Sequence, residues 1–370
     1  MLKILFVVSS LKKSGPLFVV ENIIKYLSPS KNSAAVLALS TYTGDSMQKN
    51  FSRLGVEVSI LGLKRKDTLF LGKKKFNDFI SEKKPDVIHT HGLRADFLSV
   101  LVRGGKSFMS TIHNFPLLDY PMTYGKIRGF FIAKAHLYII RRMGLPVFCS
   151  KTNFNYLGNI NPNSTYVPNG IDHEIFKPIS IEEKKRERAK LGFLENDIIF
   201  ISVGNLNSGK NPETIIRAFL DLEFSNRYKL VFLGTGPLAV NCKKMSENNP
   251  NIIFKGHVNN VTKYLAISDF FVSASLAEGL PNSVLEAMSC GLPVLLSNIE
   301  PHKEILKFNS NAGCFFETKN YKDCAFSLSS LLSRDYEKMS SAAKKIIKER
   351  FTAEKMSRSY ENIYANITRL

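Results

Sequence analysis

Two glutamates, Glu278 and Glu286, stand with seven residues between them in the run ASLAEGLPNSVLEAMSCGLPVLLSN, residues 274–298. The run reads as strand, loop, helix, strand. Gly279, Leu280, Pro281, Asn282 and Ser283 form the loop that opens the helix, and Glu286 sits about one turn inside it. Backbone N–H groups at such a helix start, with the positive end of the helix dipole, suit a phosphate. A carboxylate on either side of that phosphate could accept hydrogen bonds from adjacent sugar hydroxyls without proton transfer. The plainer alternative is one surface glutamate and one glutamate that caps the helix. Residue chemistry alone leaves both open.

A weaker signal lies near the start of the chain, where Gly15 precedes Pro16 in SSLKKSGPLFVVENI. A glycine there lets backbone amides approach an anion, although Gly-Pro is also ordinary grammar for a helix start. The chain has no GxGxxG and no Walker A sequence, so neither a dinucleotide oxidoreductase nor a P-loop NTPase is supported. The five cysteines, at 149, 242, 290, 314 and 324, are scattered and form no CxxC pair. That pattern fits a reducing compartment and argues against a disulfide framework or a zinc module.

The elements that must position these residues follow from the apolar runs. In the first half, Ile4–Ser9, Ala35–Leu39, Val56–Leu61, Asp86–Thr90, Phe108–Ile112 and Pro146–Cys149 read as buried strands. Helical periods such as Phe18–Leu27 and Arg94–Val102 lie between several of them. The second half repeats the scheme with strands at Ile198–Val203, Lys229–Leu233, Ile252–Phe254, Phe270–Ser273 and Pro293–Leu296. Its helical segments include Pro212–Leu222, Val284–Met288 and Tyr321–Leu332. Alternating strands and helices predict parallel α/β sheets with right-handed crossovers, here two Rossmann-like lobes facing each other. The expected division is 1–175, 176–350 and a C-terminal helix over 351–370 that crosses back to brace the first lobe. PNGIDHEIFKP carries the boundary, and IEEKKRERAK after it reads as a solvated charge run.

The chain has 370 residues and a formal net charge of +19. The excess is uneven: residues 1–180 hold 25 Lys and Arg against 11 Asp and Glu. Such asymmetry points to an anionic partner of the first lobe, whether lipid, nucleic acid or a phosphorylated substrate. Basic clusters stand at Lys64-Arg65-Lys66, Lys73-Lys74-Lys75, Lys83-Lys84 and Arg141-Arg142. The stretch YGKIRGFFIAKAHLYIIRRM, residues 124–143, mixes Phe, Ile and Leu with five cations. It suits an amphipathic helix in a lipid interface, or an ordinary helix packed on a sheet with its cations snorkelling to water. No zinc finger, RRM signature or helix-turn-helix accompanies the basic residues, so nucleic acid is not expected as a partner. No apolar run approaches the ~18–20 residues of a transmembrane helix. The opening MLKILFVVSSL reads as a first strand rather than a leader, which predicts a cytoplasmic chain.

EGLPNSVLEAMSCGLPVLLS resembles the glutamate–seven residues–glutamate motif of the retaining GT-B glycosyltransferases of family 4. NLNSGKNPETIIRAF resembles that family's GR-x-x-x-x-KG segment, and LVFLGTGPL, FKGHVNNVTKYLAISDFFVSAS and YVPNGIDHEIFKP match its patterns in the same order. PDVIHTHG and STIHNF resemble its fourth and fifth first-lobe strands. The resemblance covers nearly the whole chain.

It implies a GT-B fold, an α/β architecture of two Rossmann-like lobes across a cleft. It also implies transfer of a sugar from a nucleotide-diphosphate donor, with retention at the anomeric carbon. By resemblance, Glu286 binds the ribose and Glu278 holds sugar hydroxyls, with backbone amides from Gly279 to Ser283 supporting sugar and phosphate. Lys210 neutralises the diphosphate, Gly15 lets the first lobe approach it, and Val258 contacts the base through its backbone. His113 matches the family histidine near sugar and acceptor, with a satisfied histidine at a strand end as its alternative. His89 and His91 read as structural or acceptor-side. One departure stands out: the family arginine ahead of the lysine is Asn205 here. Asn supplies neither a fixed charge nor a bidentate fork, which shifts leaving-group stabilisation to Lys210, the helix end, or Lys12 and Lys13.

The resulting expectation is a hexosyltransferase without metal or other cofactor, using a UDP-sugar in preference to a GDP-sugar. Its acceptor would be a polyprenyl-diphosphate-linked saccharide or a glycolipid in O-antigen or capsule assembly. An anionic membrane surface would be a further partner, at the inner face of the plasma membrane. The alternatives are a UDP-sugar 2-epimerase of the same architecture and a peripheral membrane or nucleic-acid-binding protein whose site has lapsed.

Overall fold

Strands buried on both faces must be apolar at every position, and the strands here mostly are. The computed structural model describes residues 1–68, 71–102, 107–222, 225–246 and 249–368, with the side chains of 65 and 66 also outside the description. The Arg65 and Lys66 side chains of the first basic cluster and residues 369–370 of the C-terminal stretch thus lie outside the described residues. The chain divides into two units, Met1–Gly170 with Ala353–Leu370, and Ile171–Thr352.

Among the described residues the first unit holds seven strands: β1 (Leu2–Val8), β2 (Asn32–Ala38), β3 (Glu57–Ile60), β4 (Val87–His91), β5 (Ser107–Ile112), β6 (Leu145–Phe148) and β7 (Thr165–Tyr166). They lie in the order β3-β2-β1-β4-β5-β6-β7, all parallel. Side chains alternate across a strand, and β1 feeds two cores accordingly. Ile4, Phe6 and Val8 pack with Val20 and Ile23 of the helix Gly15–Lys25 and with Tyr360 and Tyr364 of the helix Ala353–Ile367. Leu5 and Val7 pack on the other face with Phe76, Ile80 and Leu98.

The last helix belongs to the first unit by several bonds. Ser357 Oγ donates to the Ile23 carbonyl at 2.7 Å, and Glu361 accepts from the Asn32 side chain at 2.9 Å. Within the second unit, Ile171 N–H donates to the Phe351 carbonyl at 2.7 Å, so the outgoing and returning segments run side by side. That pairing assigns residues 171–175 to the second unit, five residues earlier than the boundary expected from sequence.

The second unit holds β8 (Ile198–Val203), β9 (Tyr228–Leu233), β10 (Ile252–Gly256), β11 (Phe270–Ser273), β12 (Val294–Ser297) and β13 (Gly313–Phe316). Their order is β10-β9-β8-β11-β12-β13, again parallel. Phe200, Phe219, Phe232, Phe270 and Val272 anchor its core. Strands β7 and β13 lie outside those expected from sequence. Both are short, and β13 opens on Gly313, where a Cβ would lie 2.0 Å from the Val294 carbonyl oxygen. Only pairing with a neighbour defines such a strand.

The charge run IEEKKRERAK is solvated along most of its length, with Glu187 and Arg188 buried. It forms the helix Ile181–Leu191, with Ser180 accepting from Glu183 N–H at its start and Gly192 in the left-handed conformation at its end. Arg188 is buried and donates to the carbonyls of Ile267, Glu195 and Asp197 and to the Asp269 carboxylate. Periodicity in a charged segment cannot reveal one buried arginine, because the partners come from distant loops.

Candidate active site

In an open parallel sheet, a crevice opens at the carboxyl ends of the two strands where the order reverses. In the second unit these are β8 and β11. The loop after β8 begins at Gly204, with φ +151°, and a Cβ on Gly234 would lie 2.0 Å from the Gly204 carbonyl oxygen. Two loops therefore touch through backbone, which only glycine permits at Gly234. Asn207 Oδ1 accepts from Lys210 N–H at 2.9 Å, and Leu276 N–H donates to the Gly209 carbonyl at 2.8 Å. These bonds lay the loop after β8 against the loop after β11 and bring the Lys210 ammonium onto the Glu278 carboxylate. The lysine side chain is 32% exposed and the glutamate 13%.

Beyond Glu278, Gly279, Leu280 and Pro281 are buried, Asn282 and Ser283 half-buried, and the helix Asn282–Ser289 begins. Pro281 stands at its N-cap without a side-chain cap, and no acidic residue occupies the first turn. The helix start thus keeps its positive character for an external anion. Glu286 lies on the same helix, half-buried.

The two carboxylates differ. Burial pushes Glu278 up, but the Lys210 charge and hydrogen bonds from Lys210 and Ser275 outweigh it and hold the group below the usual carboxylate range. Burial raises Glu286 to about 7, with only partial relief from Lys210. One carboxylate is thus a firm anion, and the other sits near its midpoint at neutral pH.

In the first unit the order reverses between β1 and β4. Gly15 is exposed at the start of the helix that follows β1. Lys13 pairs with Asp45 at 2.7 Å, and Lys12 is exposed. His89 and His91 lie on β4, and His113 follows β5. The His91 and His113 rings stack with centroids 5.1 Å apart, and the His89 ring lies tilted against His91 at 4.3 Å. His91 Nδ1 lies 2.8 Å from His113 Nε2. His89 bonds Tyr364 OH and Thr111 Oγ1, each at 2.8 Å, and Thr111 reaches Tyr360 OH at 2.7 Å. Burial drives His113 down to about 4 against the opposing field of Asp96, so the imidazole is neutral at pH 7. Below this layer, buried Asp96 accepts from Thr90 and Ser110 at 2.6 Å each and bonds His136 at 3.0 Å.

Residues 15–175 match the family described as Glycosyltransferase Family 4, and residues 183–349 match Glycosyl transferases group 1. The chain is a GT-B glycosyltransferase of family 4. It is 26% identical to the O-antigen biosynthesis glycosyltransferase WclY of Escherichia coli, over 100% of this chain and 99% of that protein. It is 27% identical to the UDP-Gal:alpha-D-GlcNAc-diphosphoundecaprenol alpha-1,3-galactosyltransferase of Escherichia coli, over 62% of each. Its fold matches that of Anabaena Alr3699/HepE, solved in complex with UDP-glucose, with a TM-score of 0.83 and 16% identity over 99% of this chain and 100% of that one.

In this glycosyltransferase Lys210, Glu278 and Glu286 share one electrostatic site, at the helix start that carries Gly279 to Ser283. Asn205 is exposed in the loop after β8, where its carbonyl accepts from Asn207 N–H at 2.9 Å. Val258 is half-buried in the loop after β10, two strands from β8. Gly15 and His113 belong to the first unit.

Sequence reasoning missed three residues beside Glu278 in the glycosyltransferase. Ser275 bonds the Glu278 carboxylate, and its carbonyl accepts from Ser297 Oγ at 2.6 Å. His302 Nδ1–H donates to the Ser297 carbonyl at 2.8 Å, leaving Nε2 as a buried lone pair. Burial lowers this imidazole to about 4, and the Glu278 charge opposes the shift. The available signal was positional, because Ser297 ends β12 and His302 lies in the first turn of the helix Glu300–Leu306 after it, at the same sheet end as Glu278.

Proposed function

We propose that this glycosyltransferase moves a hexosyl group from a nucleotide-diphosphate sugar, UDP in preference to GDP, to a hydroxyl of a polyprenyl-diphosphate-linked saccharide, with retention. The observation that carries the reading is the Lys210–Glu278 pair at the β8/β11 switch point, beside a helix start without a side-chain cap. The WclY name supports O-antigen assembly, and the name of the galactosyltransferase supports a diphosphate-linked lipid acceptor. The UDP-glucose complex of the HepE protein supports the donor class. The site of action would be the inner face of the plasma membrane, with the enzyme held peripherally. Among the described residues no helix is long and apolar enough to cross a membrane.

The residues act as follows. Glu286 accepts from the ribose hydroxyls, Val258 and its neighbours take the base, and Glu278 takes hydroxyls of the donor sugar. The bond from the anomeric carbon to the phosphate oxygen breaks, and its electron pair leaves with the diphosphate. Lys210 and the amides from Gly279 to Ser283 meet that charge in place, without reorganisation. The bond to Glu278 fixes the position of the Lys210 ammonium before donor arrives. The acceptor oxygen attacks the same face, and its proton passes to the departing phosphate. In the first unit, Gly15 is assigned to anion binding at its helix start, and neutral His113 hydrogen-bonds sugar or acceptor. Asn205 adds no charge, and no metal or other cofactor is assigned.

Calorimetric titration with UDP and GDP, followed by a screen of UDP- and GDP-sugars against lipid-linked acceptor, tests the reading. Binding of UDP and transfer of labelled hexose into the lipid fraction are expected. Binding of neither nucleotide would overturn it in favour of a lapsed site. Donor conversion without acceptor would replace it by a 2-epimerase.

A further inference from the structure

A helix packed on a protein core normally shows polar residues on the face turned away from it. On the helix Lys126–Arg142 that face instead mixes cations with large apolar side chains. Gly129, Ala133, His136 and Ile140 form its buried stripe. The opposite stripe carries Ile127 at 76% exposure, Phe131 at 67%, Lys134 and Tyr138 at 55%. The preceding helix Pro116–Tyr124 adds exposed Leu117, Leu118 and Tyr124. A Cβ on Gly129 would lie 2.3 Å from the Tyr120 carbonyl oxygen, so the two helices touch through backbone and form one unit. Tyr120 OH to His136 Nδ1 at 2.8 Å, and His136 to Asp96 at 3.0 Å, tie that unit to the sheet.

The charges along this apolar surface have one sign. No Asp or Glu occurs from Tyr120 to Ile171, while Lys126, Arg128, Lys134, Arg141 and Arg142 are all exposed. The acid that precedes this stretch, Asp119, is turned onto Phe115 N–H at 2.7 Å. Two cations stand over rings of the same surface: Arg142 lies 4.4 Å from the Tyr138 centroid and Lys134 lies 5.5 Å from Phe130. Aliphatic tips, aromatic rings and exposed cations complement the acyl boundary and headgroups of an anionic bilayer. A nucleic acid would use the rings and cations but leave Ile127 and Leu118 without a role. A second copy would bring like charges together. In two of the other basic clusters a lysine is engaged within the protein: Lys83 is paired with Glu57 at 2.7 Å and Lys75 donates to the Leu61 carbonyl.

We propose that the hairpin Pro116–Arg142 is the membrane-docking element of this enzyme, with Ile127 and Phe131 inserted below the headgroups of an anionic bilayer. The inference rests on the reading of the acceptor as lipid-linked and deepens it. The hairpin begins three residues after His113, so docking it would hold lipid headgroups near the loop proposed to meet the acceptor.

The chain has no tryptophan, so F131W gives a single fluorescent reporter in the full-length protein. Vesicles of phosphatidylethanolamine and phosphatidylglycerol should shift its emission to the blue, whereas vesicles of phosphatidylcholine should not. F326W, at a similarly exposed position on the second unit, should stay unshifted with both. The double variant I127D/F131D should lose vesicle pelleting while keeping UDP binding, because both side chains are exposed. Replacing Lys134 and Arg142 by Gln should weaken pelleting by roughly fivefold per cation at low salt. Unshifted F131W emission on anionic vesicles, with UDP binding intact, would overturn the docking proposal alone. A blue shift of F131W without UDP or GDP binding would overturn the donor-site reading and leave the docking proposal standing. A shift produced equally by single-stranded oligonucleotide, or by self-association seen in sedimentation, would assign the surface to that partner instead.

Discussion

Glu278 and Glu286 look alike in the sequence and are unlike in the structure, because only one of them meets the Lys210 ammonium directly. Lys210→Ala should lower kcat/KM by about a hundredfold or more, the range for a preorganised group facing developing charge. Glu278→Ala should act mainly on kcat, and Glu286→Ala mainly on donor affinity; steady-state kinetics with varied donor separates the two. Glu286 also predicts a pH signature. A ligand that binds its ionised form pulls its pKa down from about 7, so binding of a UDP-sugar, whose diphosphate diester has no ionisation of its own near neutrality, should release protons at about pH 6.5, below that midpoint. Affinity should rise with pH up to about 7 and level off above. Calorimetry in buffers of different ionisation enthalpy reads the proton count, and Glu286→Gln should abolish it. Because the folded pKa is raised, the acid form supports stability at low pH, and that support is lost as pH rises through about 7. Glu286→Gln should therefore raise the melting temperature at about pH 8 relative to the parent and leave it unchanged at about pH 4.

The helix Ile181–Leu191 shows what a segment gains from partners outside it. Its sequence reads as exposed charge, yet Arg188 joins three carbonyls and the Asp269 carboxylate in the interior of the second unit. Asp269 also receives Lys184 at 2.7 Å and the Ile199 N–H at 2.8 Å. Arg188→Ala leaves that carboxylate and those carbonyls short of donors, and should destabilise the second unit by about 3–5 kcal/mol, the cost of breaking a buried ion pair from one side. Urea denaturation followed by circular dichroism measures it. Arg186→Ala, in the same run but 64% exposed, should change stability by no more than about 0.5 kcal/mol. Apolar alternation made the strands legible at this scale. The buried arginine was not, because its partners lie up to 81 residues away.

The whole molecule consists of two units with separate cores, and the first unit is completed by the last helix of the chain. Unfolding should accordingly depart from a single two-state transition. Removing residues 353–368 should strip Tyr360 and Tyr364 from the first core and leave His89 and Thr111 without their tyrosine partners. The transition of the first unit in a calorimetric scan should then vanish or fall sharply, while the transition of residues 171–352 persists. Loss of both transitions together would contradict independent cores.

The sequence by itself determined the family, the α/β alternation, the helix start after Glu278, and the basic excess of the first half. Each is local: a strand's hydrophobicity, a loop's glycine and a motif's spacing are written in consecutive residues. Tertiary structure decided which charges meet. It paired Lys210 with Glu278 from 68 positions away and brought His91 against His113. It added Ser275 and His302 to the site and gave two identical side chains different proton affinities. It also turned Ile127 and Phe131 outward beside exposed cations, an orientation that the sequence of residues 124–143 left open between a lipid interface and a packed helix. Burial and the proximity of distant charges set these properties, and both depend on how the chain folds rather than on the order of residues along it.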